Sequence, residues 1–161
     1  IALEGIALIA DSLETATHKP DVASRAKMLL ASLMGAVAFQ KGLGVVHSLA
    51  HPLSSVLDTH HGLANSVNLP SGMQFNYEGF ENRFDKMGDA FGLGSAAGNR
   101  VVEHLFEMNA KLGMPTKLSE IDVTREHLEE LSKLAVADFC HPNNPKPVSK
   151  EDFKNLYQRA L

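Results

Sequence analysis

The feature that most constrains the fold of this chain is the three- and four-residue spacing of its apolar residues. Between Val22 and Gln40, apolar residues recur at helical steps and only Arg25 and Lys27 are charged, which predicts a largely buried helix. No segment alternates apolar and polar residues as a half-buried strand would. The pattern therefore predicts an all-α fold, a bundle of about seven helices.

Prolines, glycines and capping residues divide the sequence into its predicted helices. We expect helices over residues 1–17, 22–40, 45–57, 63–69, 80–91, 96–112 and 124–139, with a last helix after Ser149. Ser149 is followed three residues later by Asp152, a spacing that resembles a capping box. The only strong linker-like segment is 141–148, and too little chain follows it for a second domain. Residues 1–161 are therefore expected to form one domain.

Composition excludes several classes of function. The chain is 44% hydrophobic, its net charge is −4 and no basic stripe is present, so nucleic acid is a poor candidate partner. We identify no apolar run approaching the roughly 20 residues that cross a bilayer, which predicts no membrane partner. The one cysteine, Cys140, excludes an internal disulfide and fits a reducing, cytoplasmic location.

The sequence opens at Ile1 already in helical rhythm, with neither a methionine nor a helix cap before it. No basic leader precedes the apolar stretch, so it does not resemble a signal peptide. We expect the chain to be a fragment of a longer protein.

A histidine cluster is the most informative motif. His47 and His51 are four residues apart, so on a helix they share one face, about 6 Å apart along the axis. His61 follows a predicted turn, where the chain can double back. Three imidazoles on two packed helices could bind a divalent transition metal. The spacing alone leaves hydrogen-bonded core histidines equally open, although Ser48 after the first histidine disfavours the zinc-protease motif.

The segment 44–62 resembles the signature of the iron-dependent (group III) alcohol dehydrogenases, written G-x-x-H-x-x-A-H-x-x-G-x-x-x-x-x-P-H-G. The matching positions are Gly44, His47, Ala50, His51, His61 and Gly62. Ser54 stands where the family usually has glycine, and His60 where it usually has proline. Neither departure removes a ligand, although His60 adds a competing imidazole.

The resemblance implies that residues 1–161 form the C-terminal helical, metal-binding and catalytic domain of such an enzyme. By position, His47 and His61 match two of the three histidines that hold Fe²⁺ or Zn²⁺ in the family. His51 matches a histidine close to metal and nicotinamide, with a catalytic role in substrate or proton handling. Cys140 matches a residue near the cofactor cleft, although a small buried apolar residue is an equally good interpretation.

The resemblance also implies parts that this chain lacks. The family's remaining metal ligands, an aspartate and a histidine, belong to an Asp-x-x-x-His helix upstream, and Asp11 and His18 do not have that spacing. Gly92-Leu93-Gly94 is a helix corner and not a dinucleotide loop. NAD or NADP is thus expected to bind mainly to an absent N-terminal domain, and the isolated fragment is expected to be inactive.

The implied reaction is hydride transfer between a small alcohol and its aldehyde or ketone. Two alternatives remain open. One is a relative of the same fold, such as a glycerol dehydrogenase, a maleylacetate reductase or a dehydroquinate synthase. The other is a non-catalytic helical fragment. We also expect the exposed cleft face of an isolated domain to favour association into a homo-oligomer.

Overall fold

The structure, a computed structural model, describes residues 1–161, and none of them forms a strand. The eight helices are α1 Ala2–His18, α2 Val22–Ala38, α3 Val45–Leu57, α4 His61–Tyr77, α5 Glu81–Ala90, α6 Val101–Lys111, α7 Leu128–Ala137 and α8 Lys150–Ala160. Short 3-10 turns lie at Phe39–Lys41, Gly98–Arg100, Leu118–Ile121, Arg125–His127 and His141–Asn143. The predicted all-α fold is confirmed, and each of the expected helical segments overlaps one of the eight helices.

Helix α4 is longer than its sequence suggests, because it continues through Pro70 to Tyr77. A proline inside a helix leaves the carbonyl four residues earlier, here that of Ser66, without its N–H donor. The side chain of Asn109 replaces that donor, with its Nδ2 atom 2.8 Å from the Ser66 carbonyl oxygen. Its Oδ1 atom also accepts a hydrogen bond from the Ser66 hydroxyl at 3.0 Å. A residue distant in sequence thus removes the helix-ending effect of this proline.

The chain divides into two compact units, each interrupted in sequence. The first comprises Ile1–Lys41 with Tyr77–His104, and the second Gly42–Asn76 with Leu105–Leu161. In the first unit α1 packs against both α2 and α5. In the second α7 packs against both α3 and α8.

Helix α2 of the first unit is not buried, so that prediction is wrong. Its contact with α1 is made by small residues, since Ser24 and Ala31 are its buried positions and Gly5 of α1 lies against Ala31 and Met34. Its large apolar residues lie outside that contact. They are Val22, Leu29, Leu30, Leu33 and Val37, with Leu29 74% and Leu33 61% exposed. Periodicity defines an apolar stripe on a helix, but it does not specify which neighbour covers the stripe.

The segment Val22–Lys41 also departs from the expectation that no apolar run approaches the length needed to cross a bilayer. With the 3-10 turn that follows α2, Val22–Lys41 forms a helical stretch of 20 residues, and its hydropathy of 1.4 is high enough for a membrane span by length and composition. A single helix of this kind is weak evidence, since core helices of soluble proteins pass the same test. The exclusion of a membrane partner therefore stays a prediction.

The second unit holds the main hydrophobic core. Helix α3 contributes one buried face to it, and α7 and α8 close it from the other side. Its largest fully buried side chains include Leu49, Leu53, Leu131, Phe153 and Tyr157. The Tyr157 hydroxyl donates to the Leu49 carbonyl oxygen at 2.8 Å, which satisfies the one polar group of this side chain inside the core. This core fixes α3, the helix that carries two of the three clustered histidines.

Asn144 fastens the segment after α7 to the start of α3. Its Oδ1 atom accepts from the Val45 N–H at 3.2 Å and from Asn76 Nδ2 at 3.0 Å, and its Nδ2 atom donates to Asn76 Oδ1 at 2.7 Å. A Cβ atom on Gly44 would lie 2.9 Å from Asn144 Oδ1, so only glycine permits this approach. The segment that the sequence identified as a linker is thus held against α3.

Candidate metal centre

Three histidine rings converge in the second unit. His47 and His51 lie on one face of α3, and His61 is the first residue of α4. The chain reverses between them because Asp58 takes the left-handed conformation, with φ 55°, and ends α3. The ring centroids are 5.8 Å apart for His47 and His51, and 5.4 Å apart for each of the other two pairs. Helices α3 and α4, which are adjacent in sequence, thus bring the three imidazole rings close together.

His47 is the member whose charge state the site most clearly controls. Burial lowers its pKa, and the neighbouring His61 and His51 lower it further, while the Asp138 carboxylate acts weakly in the opposite direction. The ring is therefore held neutral at neutral pH. A neutral imidazole keeps the lone pair that metal ligation requires.

His61 is exposed and is bonded to its own helix. The Nδ2 atom of Asn65 lies 3.0 Å from His61 Nε2 and donates at the same distance to the His61 carbonyl oxygen. The Oδ1 atom of Asn65 is buried and has no hydrogen-bond partner in the chain. A ligand bound through His61 Nε2 therefore requires the Asn65 amide to turn away.

A fourth residue, Asp138, joins the cluster from the end of α7. Its Oδ2 atom lies 2.7 Å from His51 Nδ1, and its Oδ1 atom accepts from the Ser48 hydroxyl at 2.6 Å and from the Cys140 N–H at 2.9 Å. Burial opposes ionisation of this carboxyl, but the hydrogen bonds from Ser48, His51 and Cys140 together outweigh it and lower its pKa. Asp138 is therefore a carboxylate that is hydrogen-bonded to three residues.

Sequence reasoning missed both Asp138 and Ser48. The position of Asp138 was the one available signal. A negative charge directly after the C-terminus of a helix is unfavourable beside the helix dipole, so it needs a stabilising partner elsewhere. No sequence pattern reveals that Ser48, one turn before His51 on α3, donates to a carboxylate 90 residues away. Only the packing of α7 against α3 brings these groups together.

The sequence profile described as the Fe-containing alcohol dehydrogenase family, C-terminal, matches residues 1–161, the whole chain. The chain belongs to the iron-containing alcohol dehydrogenase family. This confirms the family suggested by the histidine signature.

Individual alcohol dehydrogenase relatives agree with that assignment. The chain is 33% identical to a 4-hydroxybutyrate dehydrogenase of Cupriavidus necator, covering 100% of the chain and 44% of the relative. It is 34% identical to EutG, a probable alcohol dehydrogenase of Escherichia coli strain K12, covering 99% of the chain and 41% of the relative. A solved 1,3-propanediol oxidoreductase superposes with a TM-score of 0.95 at 25% identity, covering 99% of the chain and 44% of that structure. The chain thus spans less than half the length of these relatives.

In this member of the family, a second set of metal-binding residue types lies beside the histidine triangle formed by His47, His51 and His61. One ligand atom each of His51, Asp138 and Cys140 lies within 4.8 Å of the others. Two ligands bound tetrahedrally at about 2.1 Å from one cation are about 3.4 Å apart. The 2.7 Å between His51 Nδ1 and Asp138 Oδ2 is shorter, which is the distance of a charge-assisted hydrogen bond. These three residues form a hydrogen-bonded cluster and not a cation site.

Cys140 is 1% exposed and contributes its N–H to this cluster. Burial and the negative charge of Asp138 raise the pKa of its thiol to about 11, so the thiol stays protonated. The interpretation of Cys140 as a small buried side chain accounts for its low exposure and its protonated thiol. The proposed contact of Cys140 with a cofactor stays a prediction.

His60, the residue that replaces the proline of the family signature, stays outside the triangle. It is exposed and its ring lies beside Gly62 at the start of α4. The three close ring pairs of the cluster involve only His47, His51 and His61. His60 therefore offers a matched control for experiments on its neighbour His61.

Proposed function

We propose that this chain is the metal-binding part of an NAD- or NADP-linked dehydrogenase that interconverts a small alcohol and its aldehyde or ketone. The observation that carries the proposal is the convergence of His47, His51 and His61, with ring centroids 5.4–5.8 Å apart, in a member of the iron-containing alcohol dehydrogenase family. His47 and His61 are proposed as the metal ligands. His51 is proposed as the group that handles the substrate proton.

The donor set fits a borderline divalent cation such as Fe²⁺ or Zn²⁺. Imidazole nitrogen suits both ions, and His47 is held neutral by burial and by its histidine neighbours. When bound, the cation would supply Lewis-acid polarisation of the alcohol oxygen, and the nicotinamide would supply the hydride acceptor. Two histidines leave coordination positions open, so further ligands must come from outside the pair.

Alcohol oxidation releases a hydroxyl proton as hydride leaves the carbon, so the site needs a base. His51 stands in the triangle, and its side chain is 31% exposed, which gives it access both to the reacting groups and to solvent. Imidazole titrates near neutral pH and can therefore accept this proton and release it to water. Aldehyde or ketone reduction would use the same residue in reverse.

Metal titration of the 161-residue chain tests the ligand assignment. We expect Zn²⁺ or Co²⁺ to bind weakly, because two or three imidazoles without a carboxylate leave the site incomplete. His47→Gln and His61→Gln should each weaken that binding by more than about tenfold, because losing even an outer-shell partner of a metal ligand costs about 10–100-fold. The matched control His60→Gln should leave it unchanged.

Two results of this titration would contradict the assignment. Nanomolar affinity in this chain would show a ligand set larger than the one proposed. Equal losses from His60→Gln and His61→Gln would show that binding is a general property of surface histidines. Neither outcome depends on knowing the substrate.

A longer protein that carries this chain tests the reaction itself. Incubation with NAD⁺ or NADP⁺ and a panel of small primary alcohols, in the presence of Fe²⁺ or Zn²⁺, should produce reduced dinucleotide. A chelator should abolish turnover, and either metal should restore it. Turnover that survives both chelation and His61→Ala would overturn the proposed role of the cation.

A further inference from the structure

The proton on the Asp138–His51 hydrogen bond can be assigned from the partners of the carboxylate. The Ser48 oxygen accepts the His141 N–H at 2.9 Å, so the hydroxyl proton is free to point at Asp138 Oδ1, 2.6 Å away. The Cys140 N–H can only donate. Both of these neighbours of Asp138 thus act as donors, as expected around an ionised carboxylate.

An ionised carboxylate has no proton to give to His51. At 2.7 Å, a bare Nδ1 would place its lone pair against the lone pairs of Asp138 Oδ2. His51 must therefore carry its proton on Nδ1. Its Nε2 atom makes no hydrogen bond within the chain, so in the neutral ring Nε2 keeps the lone pair.

We propose that Asp138 is a positioning residue that fixes His51 in the Nδ1–H tautomer and leaves Nε2 as the nitrogen that exchanges the substrate proton. The catalytic consequence rests on the proposed function, whereas the tautomer is a property of this chain alone. A carboxylate that orients a catalytic imidazole in this manner is a known physical device for selecting one ring nitrogen.

Packing alone does not hold the ring in place. The His51 ring lies nearly parallel to the rings of His61 and Phe139, with centroids 5.4 and 5.9 Å away. Both neighbours are exposed, and Phe139 is 76% exposed, so neither is itself fixed by a surrounding core. Ser48, by contrast, is fully buried and the Asp138 side chain is 9% exposed. The hydrogen bond to the buried carboxylate is therefore the rigid element.

The tautomer is measured directly by nitrogen-15 NMR of the histidine rings in the 161-residue chain. The spectrum is recorded about two pH units above the ordinary imidazole pKa of ~6.5. We expect His51 to show a protonated Nδ1 and an unprotonated Nε2. A wild-type spectrum in which Nε2 carries the proton overturns the proposal without any variant.

Variants assign the effect to Asp138. Asp138→Asn keeps the shape but removes the charge, and its amide can donate as well as accept, so we expect a mixture of the two tautomers. Ser48→Ala removes one donor but leaves the carboxylate, so the Nδ1–H form should persist. A shift in Ser48→Ala without a shift in Asp138→Asn would contradict the assignment.

Asp58→Asn is the matched control for these variants. It removes the same charge from an exposed position that ends α3, where asparagine tolerates the left-handed conformation. Asp58 makes no hydrogen bond to His51, so the tautomer should not change. A change in this control equal to that in Asp138→Asn would assign the effect to net charge and overturn the proposal.

A longer protein that carries this chain tests the consequence for turnover. Asp138→Asn should lower kcat by roughly 10–100-fold at unchanged metal content, the range found for groups that orient histidines. In a His51→Gln background the same substitution should have no further effect, because it acts through that ring. If the protein has no dehydrogenase activity, the proposed function fails while the NMR result stands. A full additional loss in the His51→Gln background would instead overturn the positioning role.

Discussion

The Nδ1 atom of His51 lies 2.7 Å from the Oδ2 atom of Asp138, although 87 positions of sequence separate the two residues. This contact joins the histidine signature near the middle of the chain to the segment after α7. The neighbouring segment 141–148, which resembles a linker in sequence, is held against α3 by the hydrogen bonds of Asn144. The site is thus built from two distant segments rather than from the signature alone.

The contribution of Asp138 to stability should depend on pH. Its pKa is lowered in the folded chain, so its contribution is present above the unfolded carboxyl value of ~3.9 and is lost as pH falls through the folded value. Asp138→Asn should therefore lower the free energy of unfolding by about 1–3 kcal/mol at neutral pH and by less in acid. Urea unfolding at several pH values measures this, with Asp58→Asn as control. A difference that grows toward acid pH would contradict the prediction.

The thiol of Cys140 should resist modification in the folded chain. It is 1% exposed and its pKa is raised to about 11, so at pH 8 only about one thiol in a thousand is ionised. A thiol reagent should label the chain slowly in buffer and rapidly in denaturing urea. Because Cys140 is the one cysteine of the chain, the kinetics report this site without ambiguity. Labelling as fast in buffer as in urea would show that the site is open.

Two glycine-to-alanine substitutions should have opposite effects on stability. A Cβ atom at Gly72 of α4 would lie 2.6 Å from Val46 Cγ2 on α3, so Gly72→Ala forces the Val46 side chain or the two helices to shift and should cost about 1–3 kcal/mol. At Gly35 of α2 nothing lies within 4 Å, so Gly35→Ala should add about 0.5–1 kcal/mol through helix propensity. Chemical denaturation of both variants measures the difference. Effects of the same sign would contradict the packing described here.

The hydroxyl of Tyr157 should stabilise the core of the second unit. It donates to the Leu49 carbonyl oxygen at 2.8 Å and is fully buried. Tyr157→Phe should cost about 1 kcal/mol and lower Tm by about 2–4 °C. Tyr77→Phe removes a hydroxyl from a partly exposed position without such a bond and should change Tm less. Equal shifts for the two tyrosines would show that the buried hydrogen bond contributes nothing specific.

Local patterns in the sequence determined the all-α class, the bounds of α3 and the convergence of His47, His51 and His61. Helical spacing places the first two on one face, and a short turn must return the third, so little depends on distant contacts. The family followed from the same short segment. The capping box of α8 was also visible as spacing, since Ser149 and Asp152 are three positions apart.

Tertiary structure alone decided which apolar stripe is covered, how α4 passes Pro70 and which carboxylate faces His51. The exposed stripe of α2 has the same periodicity as a buried one, and only its neighbours distinguish the two. Asn109 and Asp138 act across gaps of 43 and 87 residues, where no spacing rule operates. A hydrogen bond requires a particular distance and direction between two groups. Sequence spacing determines that geometry within one helix or turn, but between distant segments only their packing determines it.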